Sequence, residues 1–151
     1  MKELKIPLIK NGSVIDHITA GNAVKVLHIL GIPKGTSSVV SVAMNVKSKM
    51  GKKDIVKVEN RELDPLEVDK IALIAPRATI NIIRDYNVVE KLEVKLPKVI
   101  EAIVKCANPA CISNSNEPAA VRFYVESEEP LLLKCHYCGY ILEKVDVLRQ
   151  L

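Results

Sequence analysis

The period of apolar and polar positions changes several times along the chain. Residues 4–9 are apolar-rich and predict a first strand. Asn11-Gly12 follows as a hairpin turn signal, because both residues tolerate positive φ. Residues 14–18 predict the returning arm. Ala20, Ala23, Val24, Leu27 and Leu30 then recur at helical spacing, with Gly31 placed as a C-terminal cap and Pro33 beyond it to stop the helix. Val40, Val42, Met44 and Val46 alternate with smaller or polar residues and predict a half-buried strand. A basic loop over residues 47–53 and a short strand over residues 54–59 are expected next. Asp64, Pro65 and Glu67 then predict a helix start: Asp64 can cap, Pro65 suits the first helical position, and Glu67 can close a capping box. That helix carries Leu66 through Ile74 and ends before Pro76. Residues 78–83 and 88–94 predict two further strands. Leaving the first arm aside, the order is β-α-β-β-α-β. This predicts an α+β fold of ferredoxin-like type, an antiparallel sheet with both helices on one face.

Leu96-Pro97 predicts a boundary between a domain over residues 1–96 and another over residues 97–151. The second part is small, about 55 residues, and a domain of that size seldom buries enough surface to fold without a staple. It contains all the cysteines, Cys106, Cys111, Cys135 and Cys138, in a C-x4-C and a C-x2-C pair. Each short pair can wrap a turn around one side of a tetrahedral ion, and the long gap brings the second pair to the other side. Zinc accepts four thiolates in such a closed, structural site. Strands predicted at residues 121–125 and 131–134 deliver the second pair, and Gly139 can relax the backbone so that amides point at the sulfurs. The layout predicts a β-rich, zinc-ribbon-like domain with one structural Zn2+ per chain. Two disulfides, or a redox pair at Cys135 and Cys138, are the competing readings.

Composition narrows the function. The chain has 151 residues, 48% apolar and 26% charged, which suffices for packed cores. Aromatics are 3% of the chain and the formal charge is +4, both of which argue against a nucleic-acid-binding zinc ribbon. No signal-peptide pattern opens the chain and no apolar run has the length of a membrane span, so a reducing cytoplasmic compartment is expected. The sequence holds no phosphate-loop or nucleophile-elbow motif. With the cysteines assigned to a metal, no nucleophile–base pair remains, and the chain reads as a binding protein rather than an enzyme. Asp16, His17, Lys57 and Lys91 stand near predicted strand ends, where two lysines could hold a phosphorylated ligand and a carboxylate could bind ribose hydroxyls. Taken without further information that signal is weak, and solvated lysines and a hairpin histidine are the favoured explanation.

The order of motifs resembles the regulatory chain of aspartate carbamoyltransferase over essentially the full length. The segments that carry the resemblance are residues 12–18 (GSVIDHI), 50–54 (MGKKD), 57–60 (KVEN), 75–81 (APRATIN) and 106–112 (CANPACI), with the closing Cys135-x-x-Cys138. The resemblance implies a non-catalytic subunit of a pyrimidine-biosynthesis enzyme. Its N-terminal domain would bind ATP, CTP and in some members UTP, and would pair with a second copy by joining sheets. Its zinc domain would dock on the catalytic chain. Carried over by position, Asp16, Lys57 and Lys91 match residues that hold ribose and phosphates, with His17 beside them. Leu8, Ile9, Val14, Asn81, Ile83, Tyr86 and Val88 match the pocket for the base. Leu8 replaces a smaller residue of the family's pattern, and Glu3 stands where a cation can assist phosphate binding. Other classes remain as rivals: the nucleic-acid-binding ribbon, a thiol oxidoreductase, and a scaffold that has lost nucleotide sensitivity.

Overall fold

Strand β1 (Gly12–Thr19) lies at the centre of an antiparallel sheet because its apolar positions have neighbours on both sides. It pairs with β3 (Gly51–Glu59) on one side and β4 (Thr79–Arg84) on the other. Strands β2 (Val40–Ser48) and β5 (Asn87–Glu93) form the two outer edges, giving the order β2-β3-β1-β4-β5. Helix α1 (Ala23–Ile29) packs against β3 and against helix α2 (Pro65–Ile74). Ile15, Val56, Val58, Ile80 and Ile82 are buried on the strands, and Val26, Ile71 and Ile74 are buried on the helices. This is the expected α+β arrangement of β-α-β-β-α-β, extended by β5. The computed structural model describes residues 8–32, 34, 37–49, 51–116 and 118–151, and the chain divides into two units, Met1–Lys95 and Leu96–Leu151.

Several local expectations are met for the physical reasons that prompted them. Asp64 caps α2, its side chain accepts from Glu67 N, and the Glu67 side chain accepts from Asp64 N in return. Gly31 follows α1 with φ +73, and its amide donates to His28 O. Others are corrected. Helix α1 begins at Ala23 rather than Ala20, because the Gly21 and Ala23 amides turn to donate to Asp54. The expected basic loop over residues 47–53 is mostly paired: Lys47 lies opposite Lys52 and Ser48 opposite Gly51 in the β2–β3 hairpin. Leu8 and Ile9 are not in a strand, and Asn11-Gly12 does not turn a hairpin but leads straight into β1. Residues 4–7, with Glu3, Pro33 and Met50, lie outside the described residues. Gly12 has φ +142, and a Cβ there would stand 2.1 Å from Val58 O, so close backbone approach excludes a side chain.

Unit Leu96–Leu151 carries a second antiparallel sheet in the order β6-β7-β8-β9. Strands β7 (Arg122–Ser127) and β8 (Leu132–Cys135) are the predicted pair. Strands β6 (Val99–Glu101) and β9 (Ile141–Glu143) and helix α3 (Lys144–Gln150) were not predicted. Phe123, Leu133, Leu142, Ile100 and Val147 form its buried core.

Asp54 is fully buried, the one buried carboxylate among the described residues of the first unit. It accepts from the amides of Gly21 (2.9 Å), Ala23 (3.1 Å) and Asn45 (2.9 Å), tying the start of α1 and the bulge in β2 to β3. Removing it strands three donors, each costing about 1–3 kcal/mol when unsatisfied. Asp54→Ala is expected to lower stability by about 3 kcal/mol or more in urea unfolding, and Asp54→Asn by less.

Candidate functional site

The register of the first sheet sets four side chains in one line across it. Lys57 of β3 lies opposite Val14 of β1, Val14 opposite Asn81 of β4, and Asn81 opposite Lys91 of β5. The neighbouring rows, through Ser13 and Ile15, point the other way into the helix-covered core. The Lys57–Lys91 row therefore lies on the sheet face opposite the helices. On one side of it Gly12, Ile83 and Val88 form a row that is apolar at β4 and β5. The Asp85-Tyr86 turn closes that end with positive φ at both residues, and Tyr86 N donates to Lys10 O, which brings the Leu8–Ile9 segment alongside. Ile9 is buried, while Leu8, Tyr86 and Val88 are exposed.

On the other side of the lysine row, β1 bulges. Asp16 and His17 fall between the Ile15–Val56 and Ile18–Asp54 pairs, and His17 has φ +57. Asp16 lies opposite Thr79, accepts from His17 N (2.7 Å), and pairs with Lys53 Nζ at 3.0 Å. His17 Nδ1 meets Thr79 Oγ1 at 3.1 Å. A cavity of about 230 Å³ opens here, lined by His17, Thr19, Lys52, Lys53 and Arg77 among others. Burial lowers the Lys57 pKa from its ordinary value, with the Asp16 carboxylate pulling it back up. All the residues singled out in this half, Leu8, Ile9, Val14, Asp16, His17, Lys57, Asn81, Ile83, Tyr86, Val88 and Lys91, thus belong to β1, β3, β4, β5 or the segments flanking them. Lys53 and Thr79 were missed. The lysine-rich sequence around Lys53 has the pattern of a loop, and Thr79 carries no signal until the bulge places His17 beside it.

In the second unit the four cysteine sulfurs all lie within 4.8 Å of one another. Cys106 and Cys138 are 3.5 Å apart, and Cys111 and Cys135 are 3.6 Å apart. Four sulfurs around a zinc ion at about 2.3 Å would stand about 3.8 Å from each other. The geometry fits a tetrahedral ion, and the four thiols are free of disulfides. The loops aim donors inward. Asn108 N points to Cys106, the amides of Cys138 and Tyr137 to Cys135, and Tyr140 N to Cys138. Gly139, with φ +74, makes the second turn possible and donates to Cys135 O at 3.1 Å. Asn114 braces the first loop by donating to Cys106 O and Asn108 O, both at 2.9 Å.

The protonation of this cluster is uneven. Burial pushes the Cys106 thiol up to about 12 and raises Cys135 as well. The Tyr140 amide brings Cys138 down to about 6. Buried thiols packed this closely resist ionising together, and a divalent cation removes that resistance.

Family models match both halves of the chain. The family model described as aspartate carbamoyltransferase regulatory chain, allosteric domain, matches residues 4–95. The metal-binding domain of the same regulatory chain matches residues 98–148. The chain is similar to the aspartate carbamoyltransferase regulatory chain of Methanothermobacter thermautotrophicus, 58% identical over 98% of this chain and 95% of the relative. It is 60% identical to that of Methanothrix thermoacetophila over 91% of this chain and 90% of the relative. With that of Pyrococcus abyssi it shares 55% over the whole of both. No helix among the described residues is long and apolar enough to cross a membrane.

Stripping the bound metal with a chelator is expected to unfold residues 96–151 while leaving the first sheet intact. Amide hydrogen exchange resolved by segment checks this: protection should be lost in β6 to β9 and kept in β1 to β5.

Proposed function

The chain belongs to the family of aspartate carbamoyltransferase regulatory chains, and from that we propose a nucleotide-sensing first unit and a zinc-stabilised second unit that grips the catalytic chain. A regulatory chain is the non-catalytic subunit of its enzyme, whose product feeds pyrimidine biosynthesis. The observation that carries the nucleotide reading is the line of Lys57, Val14, Asn81 and Lys91 across one sheet face. Its apolar flank at Ile83 and Val88, with Leu8, Ile9 and Tyr86 close by, suits a base. Its two ammonium groups suit a polyphosphate, and Asp16 with His17 suits ribose hydroxyls. A partly desolvated Lys57 gains more from a phosphate than an exposed lysine would. CTP, ATP and UTP are the proposed effectors.

The metal is proposed to be zinc, one per chain, held by Cys106, Cys111, Cys135 and Cys138. It supplies a rigid cross-link to a unit whose core is thin. Around that centre Ile112, Tyr137, Tyr140, Ile141 and Val145 are exposed, which suits a protein interface. The catalytic chain is the partner proposed for that face. The outer strands β2 and β5 leave ladder groups unpaired and carry exposed Val42, Met44, Val88 and Val89, so either suits the sheet joining that makes a regulatory homodimer. The free thiols fit a cytoplasmic setting.

The mechanism is linkage. A nucleotide shifts the enzyme only through unequal affinity for its tense and relaxed states, with coupling of about 1–3 kcal/mol. The task of the sheet face is to bind and orient the effector. The task of the zinc unit is to stay rigid enough to pass the bias on.

Lys57→Ala and Lys91→Ala are each expected to weaken CTP and ATP binding by about tenfold or more in titration calorimetry, with unchanged unfolding midpoints. Binding should also weaken as pH rises and Lys57 loses its proton. Because the Lys57 pKa is lowered, that loss begins below the range of an ordinary lysine. Mixed with its catalytic chain, the zinc-loaded protein is expected to elute as a large complex that chelation dissociates. An assembly that survives complete zinc removal contradicts the docking role.

A further inference from the structure

Both residues between Cys135 and Cys138 are tied down by their side chains. His136 Nδ1 meets the Tyr124 hydroxyl at 2.5 Å, and Tyr137 OH donates to Ala120 O at 2.7 Å. The main chain adds a third tie, His136 N to Arg122 O at 2.9 Å. The rings stack edge to face, with Tyr124 and His136 centroids 5.5 Å apart and His136 and Tyr137 centroids 4.9 Å apart. The Arg122 guanidinium caps the row 5.9 Å from the Tyr124 centroid. A chain with five aromatic residues thus places four of them, Phe123, Tyr124, Tyr137 and Tyr140, in the second unit. Two of those four are spent on this turn.

The turn is also the exposed side of the centre. Cys138 is exposed, whereas Cys106, Cys111 and Cys135 are buried. A competing chelator or an oxidant therefore meets Cys138 first, and the remaining sulfurs become reachable once the turn lifts from β7. Lifting it breaks the Tyr124–His136 contact.

We propose that Tyr124 and His136 form a latch that holds the Cys135–Cys138 turn against β7 and so sets the rate at which the centre surrenders its metal. Tyr124 is a positioning residue: it acts on the metal through His136 and the turn, without ligating. The latch rests on the four-cysteine zinc reading given above. The contact is one exposed hydrogen bond supported by ring packing. Its loss is worth a modest factor in the opening equilibrium and leaves the closed site as tight as before.

The test follows zinc transfer from the full, zinc-loaded chain to an excess of a chromogenic chelator. Tyr124→Phe is expected to release zinc about three- to tenfold faster than the parent. His136→Ala should act by a similar factor, and the double variant should be no faster than the faster single one, because the two side chains share one contact. Slow alkylation with mass analysis supplies a second readout. In Tyr124→Phe, the buried turn cysteine Cys135 should label faster than in the parent, after the exposed Cys138 and ahead of Cys106 and Cys111. Unchanged release in Tyr124→Phe, effects that multiply in the double variant, or all four cysteines labelling together as in global unfolding would each overturn the latch. A parent chain that binds no zinc sinks the zinc reading and the latch together, whereas a zinc-loaded parent matched by Tyr124→Phe sinks the latch alone.

Discussion

Four sulfur atoms drawn to within 4.8 Å of one another cannot all be ionised without a cation between them. That constraint organises the second unit. Its sheet is small, with three-residue strands at both edges, and its largest buried side chain is Phe123. Such a core holds two loops in register only when something joins them. The donors that Asn108, Tyr137, Cys138 and Tyr140 direct at sulfur make thiolate the favoured form once a metal arrives. On this account metal binding and folding are one equilibrium, and the exposed apolar residues around the centre are expected to keep their arrangement only while it lies on the closed side.

The first unit carries two helices packed on each other and is braced from within by Asp54. The sheet face opposite the helices is free to specialise. Antiparallel register there converts four residues far apart in sequence into neighbours, and a one-residue slip would turn Lys57, Asn81 and Lys91 into the core. The bulge at Asp16 and His17 adds a device that straight strands lack. It re-aims two polar side chains toward Thr79 and Lys53 at the edge of the lysine row. In the proposed function, binding at that face and rigidity at the metal centre are separate tasks, given to separate units.

Much of this was legible in the sequence, and the parts that were not share a cause. The Asp64 cap, the Gly31 stop, the alternation in β2 and the paired cysteines are local patterns, so a single chain displays them. Strands β6 and β9 are too short to show a period. Helix α3 begins at Lys144 after Glu143, an unusual cap, although Asp146 three residues on closes a capping box with it. The start of α1 is not legible locally, because Asp54, a residue distant in sequence, decides where the helix can begin. Residues 47–53 read as a loop because their many lysines hide a ladder that is visible only in three dimensions. The Tyr124–His136 contact was unreadable for the same reason, since nothing in the sequence announces which tyrosine faces the turn. Family resemblance supplied the residues proposed to bind nucleotide, which composition and spacing alone leave indistinguishable from solvated surface.

X-ray absorption at the zinc edge, on the purified full chain, tests the central claim most directly. The account predicts a first shell of four sulfurs at about 2.3 Å and no lighter scatterer. A shell containing nitrogen or oxygen, or a chain without zinc whose cysteines are joined as disulfides, would contradict it.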